Sequence, residues 1–90
     1  MDAEQLKRIN EAAIFILNKM YFDGRIGGRH TAIENLKKGL PSHLGHYADK
    51  AIGSLIKDNY VIKKPTSYGP QMSLNPERIP DIEDMLGVEP

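Results

Sequence analysis

Leu6, Ile9, Ala13, Ile16, Leu17 and Met20 recur at spacings of three and four residues behind Asp2, and this period predicts an amphipathic helix over about residues 3–20 with Asp2 as its N-cap. Ile14 and Phe15 fall off that stripe. At about 100° per residue Phe15 points nearly opposite Leu6, so a single copy leaves it exposed, and the pair is the candidate surface for a homodimer. Asp23-Gly24 and Gly27-Gly28 break the period, with Arg25 and Ile26 between them as a short first strand. Thr31 and Glu34 have the spacing of a capping box, which predicts a second helix over about 31–38 with Ile33 and Leu36 inward. Gly39-Leu40-Pro41 ends it, the glycine accommodating a left-handed conformation and the proline unable to continue. Leu44, Ala48, Ala51, Ile52, Leu55 and Ile56 are the cleanest helical stripe of the chain and predict a third helix from a cap at Ser42 to about Lys57.

Beyond Lys57 the period changes to that of strands. Tyr60-Val61-Ile62 is rich in strand formers, residues 65–70 are rich in turn formers, and Gln71-Met72-Ser73-Leu74 alternates, so residues 60–74 predict a hairpin. Asn75-Pro76 is a cap followed by a first-position proline, and Ile79, Ile82, Met85 and Leu86 supply the apolar face of a short fourth helix despite Pro80. No segment repeats at a fixed period.

The order of helix, short strand, helix, tight turn, helix, hairpin and helix resembles a winged helix-turn-helix. The stretch KAIGSLIKDNYVI, residues 50–62, is similar to the end of a winged-helix recognition helix and the strand that follows it. Together with GRHTAIENL and KPTSYGPQMSLNPERI it makes residues 5–86 resemble a group of small archaeal winged-helix proteins. The resemblance implies an α+β fold: a three-helix core, a small antiparallel sheet whose hairpin is the wing, and a short C-terminal helix. It also implies double-stranded DNA as partner and transcriptional regulation as use. Two positions depart from the pattern. Asn59 stands where glycine is common, although asparagine also visits the left-handed region. The wing tip, Thr66-Ser67-Tyr68-Gly69, holds no lysine or arginine to enter a narrow minor groove.

Ninety residues bury one modest core, so residues 1–90 are read as a single domain. With 40% hydrophobic and 27% charged residues the composition is that of an ordinary globular domain. No apolar run approaches the roughly 20 residues that span a bilayer, and the acidic start at Asp2 and Glu4 lacks the basic region of a signal peptide, so a cytoplasmic protein with no membrane contact is expected. The chain has no cysteine, which removes disulfides, thiolate nucleophiles and cysteine-based zinc sites. Its formal net charge of zero argues against a polyanionic partner until the charge is located. Residues 25–64 carry eight basic against three acidic side chains, residues 65–90 one against five, and residues 1–24 three against four. A basic centre therefore precedes an acidic tail.

If the third helix buries its Ala48, Ile52 and Leu55 side, then His43, His46, Tyr47, Lys50, Gly53, Ser54 and Lys57 face outward. Lysine and histidine there suit phosphate or base-edge contact, Ser54 bonds to either, and Gly53 permits close approach. Lys37 and Lys38 end the second helix, where they also complement its dipole, and Lys63 and Lys64 lie at the base of the wing within reach of phosphates. Tyr68 at the tip can stack on a sugar or base. Arg25 and Arg29 beside paired glycines suggest an anion contact, but no phosphate-loop pattern surrounds them. His43 and His46 are too few for a metal site, since His30 is the only other histidine and a stable site would also need a well-placed carboxylate such as Asp49, so no metal and no cofactor is expected. No nucleophile, base and orienting group combine, which makes the chain a binder rather than an enzyme. A protein-interaction module is the alternative, supported by the zero net charge and uncharged wing tip. Structured RNA on the same basic surface is a third reading.

Overall fold

The computed structural model describes residues 2–89. Asp2 caps the first helix, its carboxylate accepting from the Gln5 N–H at 2.8 Å, and α1 then runs over Ala3–Phe22, with Arg8 bridging Glu4 and Glu11 on either side at 3.0 and 3.1 Å. Its inward side is Ile9, Ala12, Ile16, Leu17 and Met20. Leu6 differs from expectation: it is 52% exposed, because the rest of the chain covers α1 only from Ile9 onward on that side. Ile14 and Phe15 are 39% and 38% exposed.

The short strand forms later than the glycine pattern suggested. Ile26 makes one isolated parallel bridge to Leu74, Gly27 at φ 62° turns the chain away, and β1 is Thr31–Ala32. That placement also removes the capping box. Thr31 lies in β1, the cap position of α2 (Ile33–Lys38) falls to Ala32, and no side chain caps the helix. Instead the Ile33 N–H donates to the Pro70 carbonyl at 3.2 Å, so a distant loop satisfies what a local side chain was expected to satisfy. Gly39 ends α2 at φ −78°, a right-handed rather than left-handed cap.

The third helix also starts late. The Leu44 N–H donates to the Pro41 carbonyl, a single 3-10 turn follows at Gly45–Tyr47, and α3 occupies Ala48–Lys57. Gly45 is a poor helix former, and Tyr47 at φ −101°, ψ 2° separates the two helical segments. The apolar stripe is nevertheless buried as its spacing required, with Leu44, Ala48, Ala51, Ile52 and Leu55 all inside. Asn59 takes φ 63°, the one non-glycine residue with positive φ among those described, and so makes the turn that glycine would otherwise make.

β2 (Val61–Lys64) and β3 (Gln71–Leu74) form the hairpin, and β3 is the middle strand of a three-stranded antiparallel sheet in the order β1-β3-β2. Val61 pairs with Leu74 and Lys64 with Gln71, while Thr31 pairs with Met72 on the other edge. As the central strand, β3 buries Met72, Ser73 and Leu74 consecutively, where sequence alternation predicted one buried side. Asn75 caps a 3-10 turn at Pro76–Arg78, and α4 (Ile79–Leu86) places Pro80 in its first turn, where the missing N–H has no helical partner to lose. Gly87 at φ 70° closes α4, with the Val88 N–H donating to the Glu83 carbonyl at 2.9 Å.

The architecture is thus α+β, with four α-helices and a small antiparallel sheet among the described residues. One core joins α1, α3, the sheet and α4 through Ile16, Leu17, Met20, Leu55, Met72, Leu74 and Ile82. Burying each large aliphatic chain of this kind is worth about 1.5–3 kcal/mol. Polar contacts fasten the C-terminal segment: the Tyr21 hydroxyl donates to Glu83 at 2.6 Å, and the Arg78 guanidinium donates to the Asp58 carbonyl at 2.8 Å and lies 4.1 Å from the centre of the Tyr60 ring. Among the described residues no helix is long and apolar enough to cross a membrane.

Candidate nucleic-acid interface

With Ala48, Ala51, Ile52 and Leu55 inside, the helical period of α3 leaves Lys50, Gly53, Ser54 and Lys57 exposed along its outer side. Neither lysine is in an ion pair within 4.0 Å with any described residue, so both ammonium groups keep their charge available. Gly53 sits between them in the middle of the helix. A methyl group built there would meet no atom within 4 Å. No described neighbour therefore requires a glycine, and the helix carries its propensity penalty of about 1 kcal/mol without a packing reason among the described residues.

The basic residues flanking α3 divide into two sets. Lys38, Lys63 and Lys64 are exposed and without an ion-pair partner among the described residues. The lysines of β2 have a second role open to them, since charged residues on an edge strand also deter pairing with another chain. Lys37 is engaged: its ammonium lies 2.9 Å from the carboxylate of Asp49, at the start of α3. The hydrogen bond to Asp49 is the main cause that holds the Lys37 pKa above its ordinary value, aided by the charges of Asp49 and Glu34 and opposed by partial desolvation. Twelve positions separate the partners, so no local spacing rule pairs them.

His43, His46 and Tyr47 precede α3 rather than lying on it. Tyr47 is half-buried against the core and meets the His46 ring edge-on, with centroids 5.2 Å apart. His43 faces elsewhere: with Pro41 and Leu44 it lines a groove against the outer side of α1, where Ile14 and Phe15 also lie. The hairpin loop is closed internally, the Thr66 hydroxyl donating to the Gly69 carbonyl at 2.6 Å while it accepts from the Tyr68 N–H at 3.2 Å. This turn holds Tyr68 out, 94% exposed, and beside Lys37 across a small cleft over the start of α2.

Arg25 is partly buried, donates to the His30 carbonyl at 3.3 Å and leaves its Nε without a partner, while the acidic α4 packs against α1. Among the described residues no group of three His, Asp or Glu side chains is placed to hold a metal ion. Compared with known proteins, the chain matches no family model, no curated sequence and no solved structure.

Proposed function

We propose that the chain is a winged helix-turn-helix protein that binds double-stranded DNA without catalysis, α3 entering the major groove as recognition helix and the β2–β3 hairpin serving as wing. The observation that carries this reading is the outer side of α3, where two unpaired lysines flank a glycine that has open space above it. A helix that sacrifices stability at its most exposed midpoint, with positive charge on either side, suits an occupant that is polyanionic and comes close. Lys38, Lys50, Lys57, Lys63 and Lys64 are the phosphate contacts in this reading, and Ser54 is the candidate for a base edge. Transcriptional regulation is the biological use that follows most directly.

A duplex bound through five lysines loses affinity with salt at a log–log slope of about −4.5, since each phosphate neutralised on B-DNA contributes about 0.9. Replacing Lys50 and Lys57 with alanine should bring the slope to about −2.7, with little change in melting temperature because both side chains are exposed. Equal slopes for variant and parent would remove α3 from the interface. The exposed Tyr68 on an uncharged loop tip favours a second reading, a module that docks on another protein. Absence of duplex binding even at low salt supports that reading, and preference for structured RNA in competition would redirect the same basic surface to an A-form backbone.

A further inference from the structure

The groove on the outer side of α1 has a volume of about 900 Å³ and is bounded by the Pro41–Leu44 turn. Leu6, Ile14 and Phe15 make it apolar, although each stands on a surface helix. Its polar lining is Lys7, Asn10, Glu11, Asn18 and His43. Leu6, Asn10 and Ile14 recur every four residues, within about 80° of one another around the helix, and Lys7 and Glu11 run beside them one turn apart. The two charges cancel, so this side does not suit a polyanion as the outer side of α3 does.

We infer that a second copy of the chain packs here, α1 against α1, antiparallel about a two-fold axis passing beside Asn10. That axis sets Leu6 of each copy opposite Ile14 of the other. It keeps Lys7 and Glu11 on one flank of the seam and brings each Lys7 within about 3 Å, measured along the helix, of the other copy's Glu11, making two ion pairs from one repeated pattern. Asn10 meets its own counterpart, amide to carbonyl, and a single polar residue in an apolar seam fixes register. A parallel arrangement offers none of this, because its two-fold puts the Lys7–Glu11 rows of the two copies on opposite flanks of the seam, where no Lys7 faces a Glu11. The contact lies toward the small end of specific interfaces, below about 1,200 Å² in total, so the dimer forms with rising concentration and dissociates on dilution.

The inference stands whether or not α3 binds DNA, and its test contains no DNA. Sedimentation velocity of the full chain over a range from nanomolar to high micromolar concentration should show a monomer–dimer equilibrium. Ile14→Glu should abolish the dimer, with circular dichroism and melting confirming that the variant folds. Lys7→Glu, on an exposed side chain, should weaken it by about tenfold or more by facing like charges across the seam. Combining Lys7→Glu with Glu11→Lys should recover part of the lost affinity, because the swap also removes the Arg8–Glu11 pair at 3.1 Å while the Arg8–Glu4 pair at 3.0 Å remains. A monomer at every concentration, a dimer untouched by Ile14→Glu, or failure of the charge swap to recover any of the lost affinity would each overturn the arrangement. A monomer that binds duplex DNA sinks this inference alone, and a dimer that does not bind it sinks the DNA reading alone.

Discussion

Gly53→Ala separates stability from binding in opposite directions. The added methyl meets nothing within 4 Å, and glycine in a helix interior is about 0.8–1.0 kcal/mol less favourable than alanine, so the fold should gain nearly that full amount. In a domain of this size 1 kcal/mol corresponds to a rise of about 4–8 °C in melting temperature. The same methyl occupies the space into which a duplex would approach, and overcrowding a tight contact costs about 1–3 kcal/mol, or roughly five- to 150-fold in affinity. Gly53→Leu extends the series: leucine is also a good helix former, so stability should stay above the parent while duplex affinity falls further. The assays are thermal melting by circular dichroism and fluorescence anisotropy with a labelled duplex at low salt. A lower melting temperature for Gly53→Ala would show that the site is not open. Unchanged duplex affinity in both variants would show that Gly53 is not where the partner comes close.

Two further outcomes follow from single polar contacts. Asp49→Asn releases Lys37 and removes a negative charge from the start of α3, so duplex affinity at low salt should rise and the salt slope steepen by about 0.9 if Lys37 then reaches a phosphate; an unchanged slope places Lys37 away from the backbone. Tyr21 holds its proton more tightly in the fold than its ordinary pKa of 10.0, chiefly through its hydrogen bond to Glu83 and secondarily through desolvation. Because that pKa is raised, its contribution to stability is fully present below about pH 10 and is lost as pH climbs through the folded value. Melting temperatures from neutral to strongly alkaline pH should therefore show Tyr21→Phe below the parent at neutrality and the gap closing above pH 10; a constant gap would mean that packing, not the hydrogen bond, is responsible.

The chain's own pattern determined which residues are inside and in what order the elements come. The Leu44–Leu55 stripe, the Ile9–Met20 stripe, the hairpin over residues 60–74 and the positive φ at Asn59 were all readable locally, because burial periodicity and turn chemistry act over a few residues. The exposed lysines of α3 follow from the same period. Where elements begin was decided by the tertiary structure. Thr31 satisfied a capping rule on paper, yet pairing with Met72 in β3 took its backbone and left the Pro70 carbonyl to cap α2. Leu6 belonged to the apolar stripe and stayed outside, 52% exposed, because among the described residues α1 is buried only from Ile9 onward. Ser73 alternated as a surface residue and was buried, because β3 has a strand on each side. The ion pair of Lys37 with Asp49 and the turning of His43 toward α1 likewise depend on residues far apart along the chain. A periodic pattern reports which side of a segment avoids water, but a backbone group or a charge takes the best partner that folding brings near, and that partner is fixed only when distant segments meet.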